Sequence, residues 1–167
     1  MEQSAGMDTQ VRRARADDLD PCLRIIRALP DHFTDDVPDR VRRDLGAHDG
    51  WVILAADTVV GFVVVDRRAP RAAEILWIAV EPSRRNGGLG SRLLDQALAE
   101  LGDQGVALIE VKTLDSSADY EPYEATYAFY ERNGFVQIDC IEDLPGYGSE
   151  NPAAILVASL EPTRGHN

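Results

Sequence analysis

Cysteine is scarce, with Cys22 and Cys140 the only two in 167 residues. Two thiols make no disulfide framework, and neither falls in a Cys/His spacing that would hold zinc. No apolar run approaches the roughly 20 residues a membrane-spanning helix needs. The opening MEQSAGMDTQ has no basic stretch leading into a hydrophobic one, so no secretory signal is expected there. These absences point to a reducing, cytoplasmic setting. Basic residues are outnumbered too: 17 Lys and Arg face 29 Asp and Glu, a formal charge of −12. That balance argues against general nucleic-acid binding, which rests on Lys and Arg contacts to phosphates. It keeps the chain soluble and favours cationic partners. No internal repeat or low-complexity linker interrupts the sequence. The length and an apolar share of 44% fit one globular domain, ordered from roughly Thr9 to Leu160.

Periodicity then lays out the elements. Thr9–Ala14 reads as a strand. A helix follows from Asp17/Asp18 or Asp20-Pro21, with Leu19, Leu23, Ile26 and Leu29 inward. Pro38–Ala47 reads as a short helix with Val41 and Leu45 inward. Trp51–Ala56 and Thr58–Asp66 make a hairpin around Asp57. Ala73–Val80 is the next strand, and Gly90–Leu101 the clearest helix, ended by Gly102. Val106–Val111 is a strand, Pro122–Arg132 a helix stopped by Asn133-Gly134, and Phe135–Ile141 and Ala153–Leu160 the last strands. Trp51 and Trp77 are expected in the core. Hairpins early and one strand–helix–strand crossover from Ala73 to Val111 predict a mixed α/β sheet.

Glu74–Gly90, EILWIAVEPSRRNGGLG, carries the chemistry. A strand runs into Arg85-x-x-Gly88-x-Gly90, and a leucine-rich helix follows at once. Glycines let the backbone approach an anion, and free amides and the helix dipole point at it. Arg84 and Arg85 add local positive charge. The segment predicts a grip on a pyrophosphate. It is not a Walker loop, since no lysine and Ser/Thr pair follows the last glycine. It also follows a late strand, not the first strand of a Rossmann unit.

The Arg85-Asn86-Gly87-Gly88-Leu89-Gly90 loop, the later Phe129-Tyr130-Glu131-Arg132-Asn133-Gly134-Phe135 and the order of elements resemble the GNAT superfamily of acyl-CoA-dependent N-acyltransferases. The resemblance covers roughly Thr9 to Leu160. It implies a mixed, mostly antiparallel sheet, splayed at its centre and flanked by helices. It implies acetyl-CoA as acyl donor, lying between two parallel strands, here Glu74–Val80 and Val106–Val111. Ile78, Ala79 and Val80 would offer backbone groups to the pantetheine and the acyl carbonyl. Arg85, Asn86, Gly87, Gly88, Leu89, Gly90 and Ser91 would hold the pyrophosphate. Tyr123 stands where many relatives have a cofactor-contacting asparagine, and a tyrosine hydroxyl would replace that contact. A homodimer through the C-terminal strands is a further implication.

Acyl transfer to an amine poses two proton problems. An alkyl ammonium titrates near ~10.4, so freeing its lone pair at neutral pH costs roughly 4–5 kcal/mol. A base must take that proton, and the departing thiolate needs one from an acid. Tyr130 occupies the tyrosine of the family pattern that donates to the CoA sulfur. Tyr123, Tyr127 and Tyr130 share one helix face, and Tyr127 is expected in the core. Glu74 is the leading base. It shares a strand face with Leu76, Ile78 and Val80, where a carboxylate is costly without a task or partner. Its spacing to the glycine loop matches the glutamate base of the histone-acetyltransferase branch. Glu81, Glu110 and a water chain are its rivals. Asp115, Asp119, Tyr120 and Glu121 would flank an amine acceptor, which these acids make a candidate cation. The alternative to an enzyme is a non-catalytic acyl-CoA-binding module, which needs the cradle but neither acid nor base.

Overall fold

The computed structural model describes residues 8–148 and 150–161. Its strands are β1 (Thr9–Arg13), β2 (Asp49–Ala55), β3 (Thr58–Ala69), β4 (Ala72–Val80), β5 (Leu108–Leu114), β6 (Val136–Ile141) and β7 (Ala153–Ser159). Its helices are α1 (Leu19–Arg27), α2 (Val37–Ala47), α3 (Leu89–Asp103) and α4 (Glu121–Arg132). The strands hydrogen-bond in the order β1-β2-β3-β4-β5-β7-β6. This is a mixed, mostly antiparallel sheet with four helices, as expected. Two compact units make up the chain.

The first unit runs to Val64 and takes in Trp77–Ala97. β1 pairs antiparallel with β2 from Thr9↔Ala55 to Arg13↔Trp51. Ala56 and Asp57 join β2 to β3, both with positive φ (47° and 65°). Two left-handed residues are what a two-residue hairpin turn needs for its twist to match the strands. Trp51, Ile53 and Phe62 are fully buried, with Leu23, Ile25 and Ile26 of α1 and Val41 of α2. Asp18 is buried ahead of α1, where Arg12 grips both carboxylate oxygens at 2.7 and 3.0 Å. Those bonds, against the cost of burial, hold Asp18 below the usual carboxylate range.

Gly61 explains the fit of β3 to its neighbours. A Cβ there would lie 2.9 Å from Ile53 Cγ2 and 3.0 Å from the Ala79 carbonyl oxygen. Overpacking of this kind costs about 1–3 kcal/mol. Gly61→Ala is therefore expected to lower the thermal midpoint, by about 2–4 °C for each kcal/mol in a chain of this size. An unchanged calorimetric midpoint would show that β4 yields at no cost.

The second unit comprises Val65–Leu76 and the chain from Leu98 onward. Pro70 and Arg71 link β3 to β4. β4 runs parallel to β5 over Ala72↔Leu108 to Ile75↔Val111. β5 pairs antiparallel with β7 along its whole length, Leu108↔Ser159 to Leu114↔Ala153. β6 pairs antiparallel with β7, with an irregularity between Gln137 and Asp139, and exposes Val136 and Ile138. Ile75, Leu101, Ile109, Val111, Phe135 and Leu156 are buried. The strand expected from Val106 begins instead at Leu108. The Val106 amide donates to Leu101 O (3.0 Å), closing the end of α3. The left-handed residue after α3 is Gly105 (φ 91°), not Gly102, so the helix reaches Asp103.

β5 also carries an oddity. Thr113 is buried, and its Oγ1 has no hydrogen-bond partner among the described residues. A valine of the same shape strands no polar atom, so Thr113→Val is expected to keep or raise stability, by up to about 1 kcal/mol. A lower midpoint on denaturant titration would reveal a partner that the hydroxyl serves in solution.

Candidate active site

The glycine loop lies in the first unit. Ala79 is buried, and Ile78 and Val80 are half-buried. The strand stops because the Glu81 amide donates to Val60 O (2.8 Å) and Pro82 begins a 3-10 turn. Arg84 Nε sits 3.2 Å from Glu81 Oε2, so this pair is spent on shaping the turn. Arg85, Asn86, Gly87 and Gly88 are exposed. Asn86 (φ 65°) and Gly88 (φ 76°) are left-handed, and between them they turn the chain into α3. The first helical bond of that end runs from the Arg92 amide to Gly88 O, at 3.0 Å. The amides of Leu89 and Gly90 precede it, with Ser91 the third residue of α3. Amides ahead of the helical ladder, at the positive end of a 15-residue helix, suit an anion. The Arg92 side chain turns away to β1, donating to Thr9 O at 2.7 Å.

The tyrosine helix lies in the second unit. Tyr130 is buried, with Phe129 and Phe135 each 5.3 Å away, centroid to centroid, and edge-on. The amides of Asn133 and Phe135 both donate to Tyr130 O at 3.1 Å, and Gly134 (φ 86°) turns the chain back. The backbone of Tyr130 is thus pinned by the helix stop. Its hydroxyl makes no hydrogen bond to any described residue. Burial pushes the phenol well above its ordinary value, and Tyr147 and Tyr123 add to the shift. At neutral pH this phenol holds its proton and has a free donor.

The other two tyrosines differ. Tyr123 is half-buried, its ring 5.9 Å from that of Tyr120, and burial again raises the phenol. Tyr127, expected in the core, is half-buried and polar in its contacts. Its hydroxyl donates to Gln137 Oε1 (2.6 Å), and Gln137 Nε2 donates to Asp115 Oδ1 (3.0 Å). Asp115 also accepts from Ser117, from its hydroxyl at 2.6 Å and its amide at 2.9 Å. These bonds, with the hydroxyl the stronger, hold Asp115 below the usual range. Asp115 is therefore engaged in building its own loop, while Asp119, Tyr120 and Glu121 are exposed.

Glu74 is buried, and it has partners. Lys112 Nζ donates to Oε1 at 2.6 Å, and Arg68 Nε lies 3.5 Å from Oε2. The rival Glu110 is its direct partner across the β4–β5 ladder and touches the same ammonium at 3.3 Å. Trp77, expected in the core, is half-buried instead. Its Nε1–H donates to Asp44 Oδ2 (2.7 Å), and Arg40 lies 5.0 Å from the ring centroid. Neither cysteine sits in a setting that would activate a thiolate. Cys22 is buried and its thiol is pushed up to about 12 by burial, while Cys140 is exposed and also raised. Among the described residues, no His/Cys/Asp/Glu group could hold a metal ion, and no helix is long and apolar enough to cross a membrane. Lys112 and Gly61 escaped the sequence reading. Lys112 has a signal there, since it follows Glu110 by two and so shares its strand face.

A family model described as an acetyltransferase (GNAT) domain matches residues 46–137, more than half of the chain. No curated protein matches it. Solved structures do. A GNAT-family protein from Desulfovibrio desulfuricans superposes with a TM-score of 0.81 at 20% identity, covering 92% of this chain and 100% of its own. An aminoglycoside 6'-N-acetyltransferase complexed with coenzyme A gives 0.75 at 17%, covering 93% and 99%. The ribosomal-protein-S18-alanine N-acetyltransferase from Escherichia coli gives 0.75 at 19%, covering 96% and 100%. At these identities the structures speak for the fold, and the family model speaks for descent. The chain belongs to the GNAT acetyltransferase family and is an acyltransferase.

Proposed function

We propose that this protein is a cytoplasmic N-acetyltransferase that moves an acetyl group from acetyl-CoA to an amine by direct attack in a ternary complex. Ile78, Ala79 and Val80 offer backbone groups to the pantetheine arm and the acyl carbonyl. The amides from Arg85 to Gly90, with Ser91, hold the diphosphate, and Tyr123 takes up the contact that an asparagine makes in many relatives. The acceptor ammonium gives a proton to Glu74, directly or through water. Its freed lone pair attacks the thioester carbon, and the C–N bond forms. The tetrahedral intermediate collapses with loss of the C–S bond, Tyr130 gives its proton to the departing sulfur, and the surplus proton on the new amide nitrogen leaves to restore the phenol.

The observation that carries this reading is the Tyr130 phenol, its ring buried and its hydroxyl protonated and without a hydrogen-bond partner among the described residues. A protonated hydroxyl carried on a buried ring, with no described residue to donate to, is what a proton source for an incoming sulfur requires. The raised Cys22 supports direct transfer, since no activated thiol is at hand for an acyl-enzyme. The two named relatives act on an aminoglycoside and on a protein alanine, and the amine is what their acceptors share. Asp119 and Glu121, exposed and acidic, favour a cationic acceptor.

A thiol-release assay with acetyl-CoA tests this over polyamines, aminoglycosides, amino acids and peptide N-termini. Release of free CoA with at least one amine class is expected. Tight acetyl-CoA binding with no release from any class would mark a binding module instead.

A further inference from the structure

Of the 17 Lys and Arg residues, one is a lysine, Lys112. It lies where the sheet has an electrostatic problem. Glu74 and Glu110 are direct partners in the parallel β4–β5 ladder, one rung before its end at Ile75↔Val111. Like charges placed opposite one another destabilise a strand pair. Glu74 is also buried, with its side chain only 10% exposed, which makes an uncompensated charge more costly still. Lys112 answers both. Its Nζ lies 2.6 Å from Glu74 Oε1 and 3.3 Å from Glu110 Oε1. Arg68 comes from β3, Nε 3.5 Å from Glu74 Oε2, and is itself held by Asp66 at 3.1 Å.

The two oxygens of Glu74 are therefore unequal. Oε1 is committed to a short, charge-assisted bond. Among the described residues, Oε2 has only a loose ion pair, longer than an ordinary N–H···O bond of about 2.7–3.2 Å. Lys112 cannot itself act as the nucleophile. Burial lowers its affinity for the proton, but Glu74 and Glu110 outweigh burial and raise it, so it stays an ammonium at neutral pH.

We propose that Lys112 is a positioning residue. Its ammonium pins Glu74 through Oε1 against Glu110, and so leaves Oε2 as the atom that takes the acceptor's proton. This rests on the reading that Glu74 is the base. A methionine at 112 keeps the stem and loses the charge. Glu74 then keeps only the loose Arg68 pair on Oε2 and faces Glu110 without the ammonium between them. An arginine keeps the charge.

Two measurements decide it. In steady-state kinetics, Lys112→Met is expected to lower kcat about tenfold, a modest share of a general base's worth, with acetyl-CoA affinity within about twofold. Lys112→Arg is expected to recover most of the loss. Lys112→Met combined with Glu74→Gln is expected to be no slower than Glu74→Gln alone, because both act through one carboxylate. Wild-type kcat in a folded Lys112→Met protein, or effects that multiply in the double variant, would overturn the proposal. The second measurement needs no turnover. Protein labelled with 15N-lysine carries one labelled side chain, so its Nζ signal needs no assignment. That signal is expected to move on Glu74→Gln. A signal that stays put would show that the ammonium does not hold Glu74, whatever the acceptor assay gives. If no amine releases thiol from the wild type, the acetyltransferase reading fails, and this signal still tests the Lys112–Glu74 tie.

Discussion

Tyr130→Phe is expected to bind acetyl-CoA as well as the wild type, to melt at the same temperature, and to turn over about 10²-fold or more slowly. The three parts have one origin. The hydroxyl makes no bond to a described residue, so its loss leaves no partner stranded and costs the fold little. The ring keeps its edge-on contacts with Phe129 and Phe135, so the packing volume is unchanged. What disappears is the proton for the departing sulfur, and a positioned general acid contributes typically about 10²–10⁴-fold. Stopped-flow or steady-state rates beside a calorimetric melt check this. An unchanged rate would make Tyr130 a packing residue, like most aromatics on a buried helix face. The pH profile supplies a second check. Burial raises the phenol, so its proton is retained below the ordinary value of about 10 and lost only above it. A wild-type profile should therefore show no alkaline fall from this group below about pH 10. Phenylalanine has no such proton, so any alkaline limb that remains in the variant belongs to another group.

Much of this was legible in the chain because its causes are local. The hairpin at Asp57, the leucine stripe of α3 and the Asn133-Gly134 stop each depend on residues within a turn or two. The structure puts them where the periodicity does. What escaped depends on partners far along the chain. Gly61 needs Ile53 and Ala79 pressed against it, which only the strand order supplies. The ammonium on Glu74 comes from 38 residues away, through a ladder register that no local pattern dictates. Trp77 was expected inside because tryptophan is large and apolar. It is half-buried instead, with its indole N–H donating to the buried Asp44 of α2. Tyr127 failed likewise, since its polar tip finds Gln137 on the next strand. β5 starts late because the Ala107 amide is taken by Arg71 O (2.8 Å), a bond to a residue before α3.

Gly88→Asp is expected to weaken CoA binding by about 10–100-fold, or about 1.4–2.8 kcal/mol, and to leave the fold largely intact. Two features of the position let charge be separated from shape. Its φ of 76° is left-handed, so any side chain carries a backbone penalty of about 1–2 kcal/mol, smaller for Asn and Asp. A Cβ built there meets no protein atom within 4 Å, so the substitution clashes with nothing in the chain itself. Gly88→Asn therefore serves as the control, matching aspartate in size and in tolerance of this backbone but carrying no charge. If amides at the start of α3 hold a diphosphate, the aspartate adds repulsion where the helix dipole offers attraction. The asparagine variant should then stay within about tenfold of wild type, and the gap between the two should shrink as salt is added. Calorimetric titration with CoA from low to high ionic strength measures both. Equal affinity for the aspartate and asparagine proteins at low salt would mean that no phosphate sits near residue 88. The cradle would then have to be sought elsewhere on the chain.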